Sequence, residues 1–262
     1  MRVPLFPLDL VLFPGQTLPL HVFETRYKQM LQRSLKDRIP FGIVAVRDRS
    51  RSSRGTPHSI GTLAVVTKVE EMEEGRCPIP APHRGNCYQI VCRGTERFRV
   101  TSLDRREAEY LVGDIELYPD EEDPPPALAM VGQRVAMLFD EYYRQVVAIM
   151  GGWQRPAEQG TRTLLLDVGA LLASQARLAE SDDDRPRAIP VPVLPEEPAI
   201  MSNVVAAELN VATDQKQELL EMPSALARLQ REAEILAEEI PQLEERLEMQ
   251  RRRRFGAFGM TS

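Results

Sequence analysis

The start of the chain combines proline-interrupted apolar runs with a proline–glycine pair, and this combination restricts how the chain can begin to fold. The first apolar run contains Pro4 and Pro7, which have no N–H to donate to a sheet and therefore suit an edge strand or a strand end. Pro14 directly precedes Gly15, the pair that a type II turn favours. A second apolar run at 18–22 follows. The order predicts a strand, a turn and a second strand.

An amphipathic segment comes next and predicts one helix of about 14 residues. The residues on its apolar face are Phe23, Tyr27, Met30, Leu31 and Leu35, and those on its polar face are Arg26, Gln29, Arg33 and Lys36.

Further short apolar or β-branched runs predict more strands, and several short strands around one early helix favour a small, closed or partly closed barrel. Gly94 divides one of these runs, which indicates two strand pieces with a bulge or a close backbone approach between them. The acidic run at 70–74 is expected to end the strand before it. The predicted strands are 41–46, 63–69, 88–100 (in two pieces) and 110–118, with loops at 47–58 and 76–86.

The hydrophobic period changes from two to 3.6 after the acidic and proline-rich stretch 119–126, which predicts a linker followed by helices. The acidic runs at 120–123 and 182–184 are expected to be solubilising linker charge. The predicted helices are 127–150, ended by Gly151 and Gly152, 163–179, 213–222 with Thr213 as N-cap, and a last helix from Ser224, with a connector at 181–198.

The last helix carries a heptad seam, in which apolar residues alternate at spacings of three and four. Pro241 interrupts this seam and is expected to bend the helix near Ala237. Packing against the helix at 127–150 is favoured over packing against a second chain, which would make a homo-oligomer. The seam is Leu226, Leu229, Ala233, Leu236, Ile240, Leu243 and Leu247, and its last four leucine and isoleucine positions are the candidate docking residues.

Three stretches resemble one known family. The motifs P-L-F-P-L, L-F-P-G and L-P-L-H-V-F-E-x-R-Y at the start, V-C-R-G-T-E-R-F-R-V at 91–100 and A-A-E-L-x-V-x-x-x-x-K-Q-E-L-L-E at 206–221 are similar to the Lon substrate-binding (amino-terminal) domain family. The resemblance implies an α+β fold: a PUA-like β-barrel domain at 1–119, a linker at 120–126, an α-helical bundle at 127–255 and a flexible tail at 256–262.

The catalytic signatures of Lon proteases are missing from this sequence. It contains no G-x-x-x-x-G-K-[ST] loop, and none of its lysines, which are Lys28, Lys36, Lys68 and Lys216, follows a glycine-rich loop or accompanies a serine in the family's signature. The resemblance therefore implies a non-enzymatic module that binds polypeptide segments or a protein partner, such as a Lon-type protease or another proteostasis factor. An apolar groove between the two halves is the expected site. The alternatives are a PUA-like RNA-binding module, an adaptor or regulator of an ATP-dependent protease, and an enzyme with an unrecognised site.

The candidate binding residues come from the motif stretches. His21 and Glu24 could perform acid–base chemistry, but a tie between the strand end and the helix start is favoured. Arg93, Arg97 and Arg99 could bind an anion, but a solvated face is favoured. The full candidate set is Phe13, His21, Phe23, Glu24, Arg26, Tyr27, Arg93 and Arg97.

Nucleic acid, metal and membrane are not expected as partners. Net charge is −6, and the arginines of the 47–54 loop (Arg47, Arg49, Arg51 and Arg54) have no aromatic residues between them for base stacking. No apolar run approaches the roughly 20 residues that span a bilayer, and no secretion signal is recognisable.

Cysteine usage also argues against a metal site, and it favours a cytoplasmic location. Cys77, His83, Cys87 and Cys92 match no zinc spacing, and no metal or cofactor is predicted. Three cysteines without framework spacing favour a reducing compartment, so a cytoplasmic location is predicted.

Overall fold

A computed structural model describes residues 1–47, 56–73, 85–104, 108–151 and 192–256. The strands are β1 (Arg2–Leu8), β2 (Thr17–Val22), β3 (Phe41–Arg47), β4 (Thr56–Pro57), β5 (Ile60–Met72), β6 (Cys87–Asp104) and β7 (Leu111–Leu117). The helices are α1 (Thr25–Asp37), α2 (Pro125–Gly151), α3 (Pro198–Glu208), α4 (Thr213–Glu221) and α5 (Ala225–Gly256). We call β1–β7 with α1 the β-lobe, and α2–α5 the helical lobe.

The predicted strand, turn, strand and helix at the start of the chain are confirmed. Gly15 has a φ of 82°, and the Gln16 N–H donates to the Phe13 carbonyl at 3.1 Å, which closes the turn at the Pro14–Gly15 pair. Helix α1 has 13 residues and buries Tyr27, Met30 and Leu31. Leu35 was predicted on the same face but is 40% exposed.

The strands of the β-lobe form a closed ring. The hydrogen-bonded order is β1–β7–β6–β5–β3–β4, and β1 also pairs with β3 in parallel, while β2 pairs with β6 outside this path. Residues 2–5 of β1 pair with β7 and residues 5–8 pair with β3. Pro4 and Pro7 therefore each lie where this strand is paired on one side among the described residues, which is why a ring strand tolerates both. The predicted barrel is confirmed.

Strand β6 is one continuous strand of 18 residues, so the prediction of two pieces is wrong. The close backbone approach predicted at Gly94 is present: a Cβ there would lie within 3 Å of the Phe13 carbonyl oxygen. Two hydrogen bonds, from the Gly15 N–H to the Gly94 carbonyl and from the Gly94 N–H to the Gln16 carbonyl, both at 2.9 Å, join the strand to the turn. The glycine admits the turn without ending the strand.

Strand β5 continues to Met72, so the prediction that it ends before the acidic run is also wrong. Glu70 and Glu71 pair with Gln89 and Tyr88 of β6, and both glutamates are exposed. Because their side chains reach water, the charges do not oppose the pairing.

The helical lobe begins earlier than predicted, since α2 starts at Pro125 inside the expected linker. Thr213 is the first residue of α4, not its cap: the N-cap is Ala212, whose N–H donates to Gln215 Oε1 at 3.3 Å. The predicted helix 163–179, the acidic run 182–184 and residues 257–262 of the tail lie outside the described residues.

Helix α5 packs its heptad seam against α2 of the same chain, as predicted. Leu236 and Leu243 are buried in one cluster with Val135, Phe139 and Tyr143, while Ile240 and Leu247 are half-buried. The helix continues through Pro241, which lies at an exposed position. In the parts of the chain that the structure describes, no helix is both long enough and apolar enough to span a membrane.

Candidate functional site

The junction between the lobes is built around Arg97. Its buried guanidinium donates to Asp120 Oδ1 at 2.5 Å and to the carbonyls of Leu220 and Met222 at 2.7 and 2.6 Å. Burial lowers the pKa of Arg97, and the nearby Asp120 carboxylate opposes that shift. The prediction that Arg97 belongs to a solvated face is therefore wrong, since this side chain joins β6 to the end of α4.

A second buried arginine, Arg228 of α5, meets the same carboxylate. It donates to Asp120 Oδ2 at 2.8 Å and to Oδ1 at 3.2 Å, and its Nε donates to Ser202 Oγ at 3.0 Å. One aspartate thus accepts from guanidinium groups on both lobes. Asp123 accepts the Leu226 N–H at 2.8 Å in the first turn of α5. The prediction that 120–123 is solubilising linker charge is wrong for both aspartates.

Tyr118 completes the junction on the β-lobe side. Arg97 and Arg99 each place a guanidinium 4.7 Å from the centre of its ring. The tyrosine hydroxyl donates to the Glu221 carbonyl at 3.2 Å, and the Glu121 N–H donates to the Pro223 carbonyl at 3.0 Å. These contacts hold the turn between α4 and α5 against the β-lobe.

A cavity of about 330 Å³ opens beside this turn. Its walls combine carboxylates from α4 with a histidine between β4 and β5, and two apolar residues of the α4–α5 turn. The lining residues are His58, Asp214, Gln217, Glu218, Glu221, Met222 and Pro223. Five of these seven residues are polar or charged, although most of the surface that they present to the cavity is apolar.

Hydrogen bonds fix the cavity wall across the two lobes. Gln217 Nε2 donates to the Ile60 carbonyl at 3.0 Å and to Glu221 Oε1 at 2.8 Å. His58 Nδ1 lies 3.2 Å from the same glutamate oxygen and 3.3 Å from Arg47 Nε. Gln217 Oε1 is buried and has no hydrogen-bond partner in the described chain.

The charge of the cavity decides which chemistry it can support. Glu218 is paired with Arg231 at 2.9 Å, which leaves Asp214 and Glu221 with His58 around the opening. Carboxylates accept hydrogen bonds from a cation. No serine, cysteine, threonine or lysine stands among the seven lining residues, so they do not form a nucleophilic dyad.

The candidate residues predicted from the motifs are not brought together at this cavity. Phe13 is fully buried in the core cluster that joins the two lobes, and Tyr27 packs on Phe6 with ring centres 4.3 Å apart. Glu24, the exposed N-cap of α1, pairs with Arg26 at 2.6 Å.

The remaining candidates divide between surface and partial burial. His21 and Phe23 are half-buried around the end of β2, and Arg93 is exposed on β6. None of these candidates lines the cavity, and Arg97 contacts its wall only through the hydrogen bond to the Met222 carbonyl.

The residues that line the cavity could have been noticed in part. Gln217 and Glu221 are four residues apart and so share one face of a helix, within a stretch already singled out by its resemblance. His58 carried no signal, because it lies at the end of a polar loop and meets α4 only in the folded chain.

The cysteines depart from prediction in one respect. Cys92 is a free buried thiol that donates to the Leu18 carbonyl at 3.4 Å, and burial raises its pKa to about 12. Cys87 is disulfide-bonded, which does not fit three thiols in a reducing compartment. Cys77, His83 and the loop arginines Arg49, Arg51 and Arg54 lie outside the described residues.

Comparison with known proteins identifies the family of this chain. The substrate-binding domain of the ATP-dependent protease La (LON) matches residues 2–238. A Lon protease of Anaeromyxobacter dehalogenans is 25% identical over 237 residues, which are 89% of this chain and 23% of that protein. Lon protease 2 of Myxococcus xanthus is 24% identical over the same shares. The chain thus spans about a fifth of the length of the curated relatives that it matches.

Solved structures agree on the fold. A Lon N-terminal domain protein from Xanthomonas campestris is similar with a TM-score of 0.51 and 21% identity, over 88% of this chain and 96% of that one. The N-terminal domain of a Mycobacterium avium complex Lon protease gives a TM-score of 0.51 and 14% identity, over 90% and 98%. With the α+β architecture and the match to nearly the whole sequence, the chain belongs to the Lon substrate-binding domain family.

Proposed function

We propose that this chain is a non-enzymatic module that binds segments of other proteins, and that the junction cavity receives a basic side chain of the bound segment. Membership of a substrate-binding domain family supports the first part. The observation that carries the second is that the carboxylates of Asp214 and Glu221 line one cavity together with the apolar side chains of Met222 and Pro223.

The dimensions and the walls of the cavity suit a lysine or arginine side chain. Met222 and Pro223 offer apolar surface to the methylene groups, and Asp214 and Glu221 accept from the charged end. Hydrogen bonds to charged groups contribute about 1.5–3 kcal/mol each, which corresponds to roughly tenfold or more in affinity. The same carboxylates repel phosphate, so the RNA-binding alternative finds no support at this cavity.

A matched peptide pair tests this assignment. Two fluorescein-labelled peptides differ only by arginine or its neutral isostere citrulline, and their binding is measured by fluorescence anisotropy. We expect the arginine peptide to bind about tenfold more tightly to the wild-type chain. The Asp214→Asn/Glu221→Gln variant should lose that preference. The control is Asp140→Asn/Glu141→Gln, which removes two carboxylates from α2, away from the cavity.

The outcomes separate the two parts of the proposal. Equal binding of both peptides to the wild-type chain would contradict the cavity assignment and leave polypeptide binding intact. Failure to bind either peptide and unfolded casein would contradict the module itself. The purified chain should also neither hydrolyse ATP nor cleave casein, because the required catalytic motifs are missing from its sequence. Turnover that co-purifies with the folded chain would refute the non-enzymatic assignment.

A Lon-type protease is the partner that the curated relatives point to, which would make the module an adaptor or regulator of an ATP-dependent protease. Co-sedimentation of the purified chain with such a protease tests this role. The cytoplasmic location stays a prediction from the sequence.

A further inference from the structure

Strand β5 extends well beyond the strand that pairs with it on one side. Strand β3 pairs with residues Thr62 to Ala64 only. From Val65 to Met72, β5 pairs with β6 on its other side, and no strand of the described chain pairs with it on the β3 side. Among the described residues this leaves an open edge at residues 65–71, on which alternate residues direct N–H and C=O groups away from the sheet.

The open edge is regular over its outer half. Five consecutive pairs, from Lys68 with Val91 to Met72 with Cys87, follow the one register shift, which lies between Val66 and Lys68. Protected edges usually carry charges, prolines or irregularities along their whole length. Here the shift and Lys68 interrupt the inner half, and Glu70 and Glu71 place negative charge on the regular outer half. The edge is therefore protected against an acidic strand but not against a basic one.

Apolar side chains on this edge are unusually exposed. Val65 is 38% exposed and Val69 is 43% exposed. Val69 pairs with Ile90, which is fully buried beneath α1, so the valine lies on the margin of the same apolar surface. An added strand would cover that margin.

We infer that the open edge binds an extended, basic segment of a partner polypeptide as an additional antiparallel or parallel strand. This inference rests on the proposed function and specifies how the segment is held. The charge of the edge selects the occupant: Glu70 and Glu71 stand against the single Lys68. A second copy of the chain would bring the same excess of negative charge to the edge and is therefore disfavoured.

Backbone methylation provides the decisive test, because only alternate N–H groups of an added strand face the sheet. The probe is a fluorescein-labelled ten-residue peptide of alternating valine and arginine. It is compared with two derivatives. One is N-methylated at three successive odd-numbered residues, and the other at three successive even-numbered residues. We expect one derivative to bind at least about tenfold more weakly, since it loses several main-chain hydrogen bonds. The other derivative should bind within about twofold of the parent peptide.

Variants of the chain locate the binding surface. Val65→Lys/Val69→Lys places positive charge on the edge at exposed positions and should weaken binding of the parent peptide about tenfold. The control Leu117→Lys introduces the same charge at an exposed position of β7 and should leave binding unchanged. Hydrogen exchange of the wild-type chain should slow at residues 65–71 when the peptide is bound.

Each remaining result overturns the inference. Equal effects of the two methylation patterns, or unchanged affinity of the double lysine variant, would show that the peptide binds elsewhere, and polypeptide recognition would stand without the edge. A dimer in sedimentation that the double lysine variant abolishes would assign the edge to a second copy. Failure to bind both this peptide and unfolded casein would remove the edge inference together with the proposed function.

Discussion

Replacing Asp120 with asparagine should destabilise the folded chain strongly, although the change adds or removes no bulk. The carboxylate is shared by Arg97 and Arg228, whose side chains are 3% and 0% exposed. An asparagine leaves one carbonyl oxygen for two guanidinium groups and places an amide donor where a second acceptor stood. Two buried positive charges then face each other without compensation.

The size of the effect depends on the hydrogen-bond acceptors that each arginine keeps after the substitution. Arg97 keeps its two carbonyl acceptors, whereas Arg228 keeps only Ser202. Removing one partner of a buried ion pair costs about 3–5 kcal/mol, and the retained acceptors favour the lower end. For a chain of this size, about 3 kcal/mol lowers the melting temperature by roughly 6–12 °C.

Circular dichroism at 222 nm, followed during thermal and urea unfolding, measures the change. The matched control is Asp140→Asn, the same substitution in an i,i+4 pair with Arg144 whose side chains are 59% and 63% exposed. That control should lose no more than about 0.5 kcal/mol. A loss at Asp120 within about 1 kcal/mol of the control would show that the junction does not depend on this carboxylate, which refutes the reasoning.

Three further predictions concern single side chains. Leu243→Ala should lower the free energy of unfolding by about 2–5 kcal/mol without changing the sedimentation coefficient, because Leu243 packs against α2 within the chain. Glu232→Gln should stabilise the chain increasingly as pH rises from about 4: burial raises the pKa of Glu232, so the native state holds a proton that the unfolded state has released, and wild-type stability falls over that range. Denaturation at pH 5 and pH 8 checks this. Gly94→Ala should reduce the melting temperature, since the added Cβ would overlap the Phe13 carbonyl.

The control substitutions change exposed residues of the same type. Leu117→Ala and Glu234→Gln change a leucine and a glutamate that lie largely in water, and both should be nearly neutral. Each prediction has an outcome that would contradict it. For Leu243→Ala this is a change in mass, and for Glu232→Gln it is a stability difference that does not depend on pH. For Gly94→Ala it is an unaltered melting temperature.

The beginning of the chain was predictable because its signals are local. The turn at Pro14 and Gly15 depends on the backbone preferences of two adjacent residues, and the buried face of α1 follows from a spacing of three and four. The α5 seam was predictable for the same reason. Gly94 shows the limit of such signals: the close approach was foreseen, but not that the strand continues past it.

The junction could not be read from the sequence, because its partners are far apart in the chain. Arg97 alternates with the apolar, buried Phe98 and therefore reads as a surface residue, yet the carboxylate of Asp120 that binds it is 23 residues away. The Arg228 that shares this carboxylate is 108 residues from it. The cavity joins His58 to Glu221 across 163 residues. Such pairings depend on how the two lobes pack together, and the hydrophobic periodicity of the sequence carries no information about that packing.

Closure of the β-lobe ring has a consequence for the time course of synthesis. Arg2 of β1 pairs with Asp114, so at about 5–20 residues per second the first strand waits on the order of 6–22 s for its partner to be made. Val3 and Leu5, which pack with Ile115 of β7 in the finished protein, stay uncovered on that side meanwhile. Pro4 leaves a gap in the row of donors on this edge during the interval, which makes it a poor template for pairing with other nascent chains. We expect this proline to protect the chain before it has finished folding.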